Sequence, residues 1–224
     1  SVVAGACSTA FTVQLRDALG NAVVAASNTT LSIVGLAAST TGRFYLNSSC
    51  SGTPYTMSVT IPASSSTIQM YFSDTAAEAL NIKLTDPNNV LNDSATLAIG
   101  VSPSALSITT PTPANALSAA CAGPFTINTL DGTGQVTAAI TPITVLLAGG
   151  GSFGTFYSDS TCATSVTQFV FSTGDSAKTF YFRGQYPANL TLSATDQAGV
   201  LTAGTAPFAI TAGLSWIGNK GSTT

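Results

Sequence analysis

Short runs of β-branched and aromatic residues recur along the chain, and apolar and polar positions alternate within each run. In Thr67–Phe72 (TIQMYF) and Thr179–Arg183 (TFYFR), this period of two places one set of side chains in a core and the other on the surface. Gly, Pro, Asn and Asp separate such runs roughly every 8 to 12 residues, the spacing of short strands joined by turns. A helical signal occurs only at Thr75–Leu80 (TAAEAL), where we expect a short turn. The pattern predicts an all-β chain.

The chain contains two copies of one pattern. FTV at 11–13 returns as FTI at 125–127, and FY at 44–45 returns as FY at 156–157. LNIKLTD, which begins at Leu80, returns as LTLSATD, which begins at Leu190. The offsets lie between 110 and 114 residues, close to half of the 224 residues, so the two copies account for almost the whole chain.

The second copy is predicted to contain seven strands, and seven strands in about 110 residues are typical of an immunoglobulin-like β-sandwich. We therefore expect two tandem immunoglobulin-like domains, 1–102 and 103–212, and a strand-like C-terminal extension, 213–224. Prolines 103, 111 and 113 mark the junction. The predicted strands are Phe125–Leu130, Ile143–Leu147, Gly154–Tyr157, Val166–Phe171, Lys178–Arg183, Asn189–Thr195 and Pro207–Thr211.

Each copy carries two cysteines at matched places. Cys7 and Cys50 are separated by 43 residues, and Cys121 and Cys162 by 41. Four cysteines allow three pairings, but one disulfide within each copy preserves the repeat and stabilises each domain by roughly 3 to 4 kcal/mol. Free buried thiols and a metal site are the alternatives. Disulfides form in oxidising compartments, so we expect an exported, extracellular or cell-surface protein.

Composition excludes several classes of function. Only 7% of the residues are charged and the net charge is −3, so no basic surface exists for nucleic acid. No apolar run approaches the 18 residues or more of a transmembrane helix. The chain has no histidine, which removes the Ser-His-Asp triad and the usual zinc sites. Gly149–Gly154 (GGGSFG) matches two glycine-rich motifs, but a loop entering a strand explains it better. We expect no enzyme and name no catalytic residue.

Oxygen-bearing side chains occupy matching turn positions in the two copies. Such turns could hold Ca²⁺ between tandem sandwiches, but capping of their own backbone is the simpler interpretation, so we expect no cofactor. Two carboxylate pairs, Asp74 with Glu78 and Asp159 with Asp175, have the residue types of a glycosidase pair, but their surroundings indicate solvated turns. The matched turn residues are Asp17, Asn47, Asp86, Asp131, Asp159 and Asp196.

Aromatic side chains concentrate in the second copy. Most are expected in the core, because alternate members of a strand point inward. An outward-facing set could form a surface that stacks on sugars or binds a protein. The residues are Phe153, Phe156, Tyr157, Phe169, Phe171, Phe180, Tyr181 and Phe182.

The repeated segments resemble bacterial immunoglobulin-like domains of the invasin and intimin type, which occur in tandem in long surface proteins. The resemblance is carried by FTVQLRDALGNAV, TTLSIVG, GRFYLNSSC, STIQMYFSD and LNIKLTD in the first copy. FTINTLDGTGQV, GTFYSDSTC, KTFYFRG and LTLSATD carry it in the second. It implies a non-catalytic β-sandwich in an extracellular stalk, fibre or adhesin. A cysteine pair in each copy departs from the plainest members of that family.

The C-terminal extension repeats a segment of the junction. Leu106-Ser107-Ile108 precedes the second copy, Leu214-Ser215-Trp216-Ile217 lies near the C-terminus, and the first copy has no counterpart. The chain is therefore either an excision from a longer array, or its extension completes the first domain of another copy by strand addition. In the second case Leu214, Trp216 and Ile217 are assembly residues.

We therefore predict a structural or adhesive module of a bacterial surface or extracellular fibre. A self-assembling filament subunit and a carbohydrate-binding accessory module are the alternatives. The expected partners are neighbouring repeats, further copies of the chain, or a protein or glycan of a host surface.

Overall fold

The computed structural model describes residues 1–213, so the predicted assembly residues Leu214, Trp216 and Ile217 lie outside the described residues. The described part is all-β, with two disulfides and several sheets compatible with two β-sandwiches, as predicted. The chain divides into two compact units. One comprises Ser1–Ala105, Thr129–Ile143 and Phe171–Ser176, and the other comprises Leu106–Asn128, Thr144–Val170 and residues 177–213. The domain limits at 102 and 212 stay a prediction.

The first sandwich is built from a five-stranded and a three-stranded sheet. The five-stranded sheet has the order β1-β8-β7-β3-β5, and the three-stranded sheet has the order β2-β6-β4. Its strands are β1 (Val2–Val3), β2 (Phe11–Gln14), β3 (Thr29–Val34), β4 (Arg43–Tyr45), β5 (Ser58–Ile61), β6 (Thr67–Ser73), β7 (Ala79–Thr85) and β8 (Leu97–Ser102).

The second sandwich has one strand more in its smaller sheet. The five-stranded sheet has the order β10-β17-β16-β12-β14, and the four-stranded sheet has the order β13-β15-β11-β9. Its strands are β9 (Ala105–Thr109), β10 (Asn115–Leu117), β11 (Cys121–Leu130), β12 (Ile143–Ala148), β13 (Gly154–Tyr157), β14 (Gln168–Phe171), β15 (Ala177–Gly184), β16 (Ala188–Asp196) and β17 (Gly204–Thr211).

All seven strands predicted for the second copy are present, and two further strands were missed. The missed strands, β9 and β10, lie in the segment that the prolines mark as a junction. Both are short strands at the edges of their sheets, which is where proline is tolerated next to a strand. The short turn expected at Thr75–Leu80 is confined to a bend at its start, because Ala79 and Leu80 already belong to β7.

Alternation along the strands builds the cores. In β15, Phe180 and Phe182 point inward and are fully buried, while Tyr181 between them is half-buried. Phe125 stacks on Phe180 with ring centroids 4.9 Å apart, and Phe208 from the opposite sheet meets Phe125 edge-on at 5.0 Å. These contacts between sheets close the second sandwich.

One disulfide staples each sandwich. Cys7 is bonded to Cys50 with Cα atoms 5.6 Å apart, and Cys121 is bonded to Cys162 with Cα atoms 5.8 Å apart. The predicted pairing of one bridge within each copy is therefore found. It joins the start of each repeat to the turn that follows the Phe-Tyr strand, so about 40 residues lie within each covalent loop.

Candidate functional site

The matched oxygen-bearing side chains are caps of their own turns. Asp159 accepts hydrogen bonds from the backbone N–H groups of Thr161, Ala163 and Thr164, and Asn47 caps the matched turn of the first copy in the same way. Asp17, Asp86, Asp131 and Asp196 each accept at least two backbone N–H groups from residues that follow them. The turn-capping interpretation is therefore confirmed.

Hydrogen bonds donated to the turn-capping aspartates stabilise the charged form of their carboxylates. The side-chain amide of Asn21, together with its backbone N–H, lowers the pKa of Asp17. The N–H of Asn88 lowers the pKa of Asp86, and the Thr161 hydroxyl lowers the pKa of Asp159. Each carboxylate lies in a turn of its own, and no three His, Cys, Asp or Glu side chains within residues 1–213 form a group suited to a metal ion. The oxygen atoms proposed for Ca²⁺ thus serve separate turns.

Asp74 is not a solvated turn residue, so that expectation is wrong for this member of the pair, while Glu78 is half-buried. Asp74 is 1% exposed and accepts hydrogen bonds from the hydroxyls of Ser39 and Thr41 at 3.1 and 2.6 Å, and from the N–H of Ala76 at 3.0 Å. Burial raises the pKa of Glu78 and the Asp74 carboxylate adds to the rise, against an opposing effect of Ser39. Asp74 is too deeply buried to reach a sugar, and its hydrogen bonds join the turn that contains Ser39 and Thr41 to the segment ahead of β7.

The aromatic residues do not form a common outward surface. Five of the eight are buried, namely Phe156, Tyr157, Phe171, Phe180 and Phe182, which confirms that most belong to the core. Phe153 is 42% exposed, and Phe169 and Tyr181 are half-buried. The outward-facing set considered for sugar stacking or protein binding is thus reduced to one well-exposed ring, Phe153.

The first sandwich contains an apolar groove that the sequence patterns did not predict. The groove has a volume of about 700 Å³ and opens between the two sheets along β2. Phe11 and Val13 of β2 and Met70 of β6 lie on one side, and Ile82, Leu84 and Leu97 of the opposite sheet lie on the other. A second groove of about 420 Å³ continues past Val13 and Leu84 toward Val90 and Leu91.

The groove lies where the second sandwich has its additional strand. Within the described residues β2 pairs only with β6, whereas its counterpart β11 lies between β15 and β9. β9 packs closely against β17, since a Cβ on Gly204 would lie 2.9 Å from the backbone of Leu106. The N–H of Leu106 also donates to the carbonyl of Thr202 at 2.8 Å. The first sandwich therefore lacks, among residues 1–213, the strand that covers this position in the second.

Burial differs between the two copies at this position. Phe125 and Ile127 of β11 are fully buried, whereas the matching residues Phe11 and Val13 are only partly buried. Leu97 pairs with Ile82 in the first sandwich, and Ala206 pairs with Leu192 at the matching place in the second. Leu97 is 37% exposed, whereas Ala206 is 3% exposed. β2 has four residues and β11 has ten. At this edge the first sandwich thus has a shorter strand than the second, and its apolar side chains are in contact with solvent.

The strand that borders β11 has a signal in the sequence. It is the Leu-Ser-Ile segment at 106–108, which lies 15 residues ahead of Cys121, whereas only six residues of the sequence precede Cys7. Because the prolines assign this segment to the junction between domains, the sequence patterns predict neither β9 nor the groove along β2.

Comparison with known proteins gives distant similarities. No protein-family model matches the chain, and no curated protein matches it either. It is similar to domains 4 and 5 of the S-layer protein SbsC (12% identity, TM-score 0.34, 62% of this chain and 69% of that one). The D0-D1 domain of Intimin (10%, 0.34, 90% and 88%) and a glycosyl hydrolase family 2 member from Bacteroides cellulosilyticus (10%, 0.37, 77% and 22%) are also similar.

These similarities assign neither a family nor a function, because the identities and TM-scores are low. The chain spans only 23% and 25% of two longer SbsC structures. The resemblance to invasin- and intimin-type domains therefore stays a prediction. Residues 1–213 contain no helix with the length and apolar character needed to span a bilayer.

Proposed function

We propose that this chain is a non-catalytic structural module of an extracellular assembly, such as a fibre at a bacterial surface. The observation that carries the proposal is the repeated, disulfide-stapled sandwich in which the matched aspartates cap turns. Disulfides persist outside the reducing cytosol, which supports an extracellular location. In such an assembly each module would carry load along the chain that contains it.

Force spectroscopy on the full chain tests this proposal. We expect two discrete unfolding events, one for each sandwich. The disulfides keep the 43- and 41-residue loops from extending, so reduction should lengthen the unfolded chain by about 150 Å and about 140 Å, at roughly 3.6 Å per residue. Extension without discrete events in the oxidised protein would contradict a mechanical role.

Self-association by strand addition is a second candidate function, and the groove along β2 favours it. Among residues 1–213, β2 is the edge strand of its sheet and lies beside partly exposed apolar side chains, and such an edge is a template for a further strand. The carbohydrate-binding alternative has a single well-exposed ring, Phe153, among the residues on which it depends. A glycan array probed with the intact chain and with Phe153→Ala would test that alternative, and we expect no saturable binding.

A further inference from the structure

We infer that the parallel strand pairs β1–β8 and β10–β17 are the mechanical clamps of the two sandwiches, meaning the contacts that must break before each sandwich unfolds under force. The inference rests on the structural role proposed above and names the residues that resist the load. It is carried by a set of contacts that the two copies share in detail.

In each sandwich a short strand ahead of the first cysteine pairs with the last strand. β1 pairs with Val101 and Ser102 of β8, and β10 pairs with Ala209–Thr211 of β17. Both of these pairings are parallel, whereas the last strands pair with β7 and β16 in antiparallel fashion. The short strand and the last strand therefore lie side by side and point the same way.

Two hydrogen bonds reinforce the parallel pair of the first sandwich. The N–H of Ala4 donates to the carbonyl of Ser102 at 2.9 Å, and the hydroxyl of Ser102 donates to the carbonyl of Val2 at 3.2 Å. Ala4 lies in a turn that closes where the N–H of Ala6 donates to the carbonyl of Val3. The turn thus directs one extra donor at the end of β8.

The second sandwich repeats these contacts at the matching places. The N–H of Ser118 donates to the carbonyl of Thr211 at 2.9 Å, and the hydroxyl of Thr211 donates to the carbonyl of Ala116 at 3.2 Å. Ser118 lies in a turn that closes where the N–H of Ala120 donates to the carbonyl of Leu117. A hydroxyl and a turn N–H therefore join the same two strands in both copies.

A disulfide anchors the chain directly behind each parallel pair. Residues 4–6 separate β1 from Cys7, and residues 118–120 separate β10 from Cys121. Both cysteines are disulfide-bonded within their own sandwich. A pull on the short strand is thus held first by its hydrogen bonds to the last strand and then by a covalent link.

The direction of the load makes the parallel pairs resistant. Force along the chain pulls the short strand toward the N-terminus and the last strand toward the C-terminus. Because the two strands point the same way, this force slides one along the other and loads all of their hydrogen bonds together. A strand peeled from one end loses its bonds one at a time. Since forced unfolding is governed by the unfolding rate, the lifetime of each sandwich under load depends on its clamp.

Proline at the turn donors removes one hydrogen bond from each clamp. Ala4→Pro and Ser118→Pro delete the N–H groups that reach the last strands. Each turn tolerates the change, because the next residue has positive φ, +84° at Gly5 and +65° at Ala119, as in type II turns with proline at the second position. Ser102→Ala and Thr211→Val delete only the hydroxyl donors and keep the backbone, so they provide the test where a proline variant does not fold.

The measurement is the lifetime of the two unfolding steps of the full chain at constant force. Ala4→Pro and Ser118→Pro should each shorten the lifetime of one step about tenfold and leave the other unchanged, and each hydroxyl deletion should shorten one step about threefold. Calorimetry of every variant reports whether it is folded and how much equilibrium stability it has lost.

Two control variants separate the clamp from general stability. Thr173→Pro places proline at the same position of another turn, Ser172–Asp175, where Gly174 has φ +94°. Ile61→Val removes a fully buried methyl group from β5 and lowers equilibrium stability to a degree comparable with a lost hydrogen bond. Because the core is still packed when a clamp breaks, neither control should shorten either step more than about twofold.

Four results would overturn the inference in whole or in part. Unchanged lifetimes in the clamp variants would overturn it, while two discrete steps would still support a structural module. Equal shortening by Ile61→Val and Ala4→Pro would show that the lifetime follows general stability. Shortening by Ala4→Pro but not by Ser118→Pro would overturn it for the second sandwich, where β9 precedes the clamp in the chain. Extension without discrete steps would remove both the clamps and the proposed function.

Discussion

The packing of β9 in the second sandwich provides a direct test of the argument that one strand closes this fold. Leu106 is 4% exposed and lies against the start of β17, where glycine at 204 leaves room for its backbone. Leu106→Ala removes most of that side chain without changing the charge or the backbone hydrogen bond to Thr202. The variant therefore changes only the packing of β9.

The expected cost follows from the burial of the side chain. A buried leucine replaced by alanine loses its transfer free energy and leaves a cavity, which together cost about 2 to 5 kcal/mol. β9 is an edge strand and can partly relax into the cavity, so we expect about 3 kcal/mol for Leu106→Ala. Ile108 is only half-buried, and Ile108→Ala should cost about half as much. Leu117→Ala, at 55% exposed in β10, is the control and should cost less than about 0.5 kcal/mol.

Hydrogen exchange read by mass spectrometry separates the two sandwiches in the intact chain. In Leu106→Ala, the opening free energy that exchange reports for amides of β11 and β17 should fall by as much as the free energy of unfolding of the second sandwich. Amides of β3 and β6 serve as the internal reference. A cost below about 1 kcal/mol, or a cost equal to that of Leu117→Ala, would refute the argument that β9 seals the second sandwich. The groove of the first sandwich would then lose its significance as an unfilled position.

Three further substitutions, the last with a control, test a turn cap, the carboxyl group beside Asp74 and a glycine. Asp159→Asn keeps a hydrogen-bond acceptor but removes the charge. The lowered pKa of Asp159 contributes stability that is present above about pH 3.8 and is lost as the pH falls further. In urea titrations the variant should therefore lose less stability than the parent between pH 7 and pH 3. Glu78 has a raised pKa, so its stability contribution falls as pH rises above about 4.5, and Glu78→Gln should melt higher than the parent at pH 7 but not at pH 3. Gly149→Ala meets a backbone carbonyl at positive φ and should cost at least about 2 kcal/mol in denaturant titrations, whereas Gly174→Ala, at similar φ in open space, should cost about 1.

The strands of the second copy could be predicted because their signals are local. Gly154–Tyr157 was predicted with the bounds of β13, and Ile143–Leu147 differs from β12 by one residue. A period of two and the turn residues at both ends determine such strands without reference to distant parts of the chain. The disulfide pairing was predictable for a related reason, since repetition restricts which cysteines are equivalent.

Features that depend on distant residues were not predictable from these patterns. Asp74 lies beside a turn and is typical of a solvated residue in the sequence, but Ser39 and Thr41, more than 30 residues away, bury it and satisfy it. β9 was hidden by neighbouring prolines, and it becomes a strand through its pairing with β11. In both cases the environment is set by tertiary contacts that local patterns do not contain.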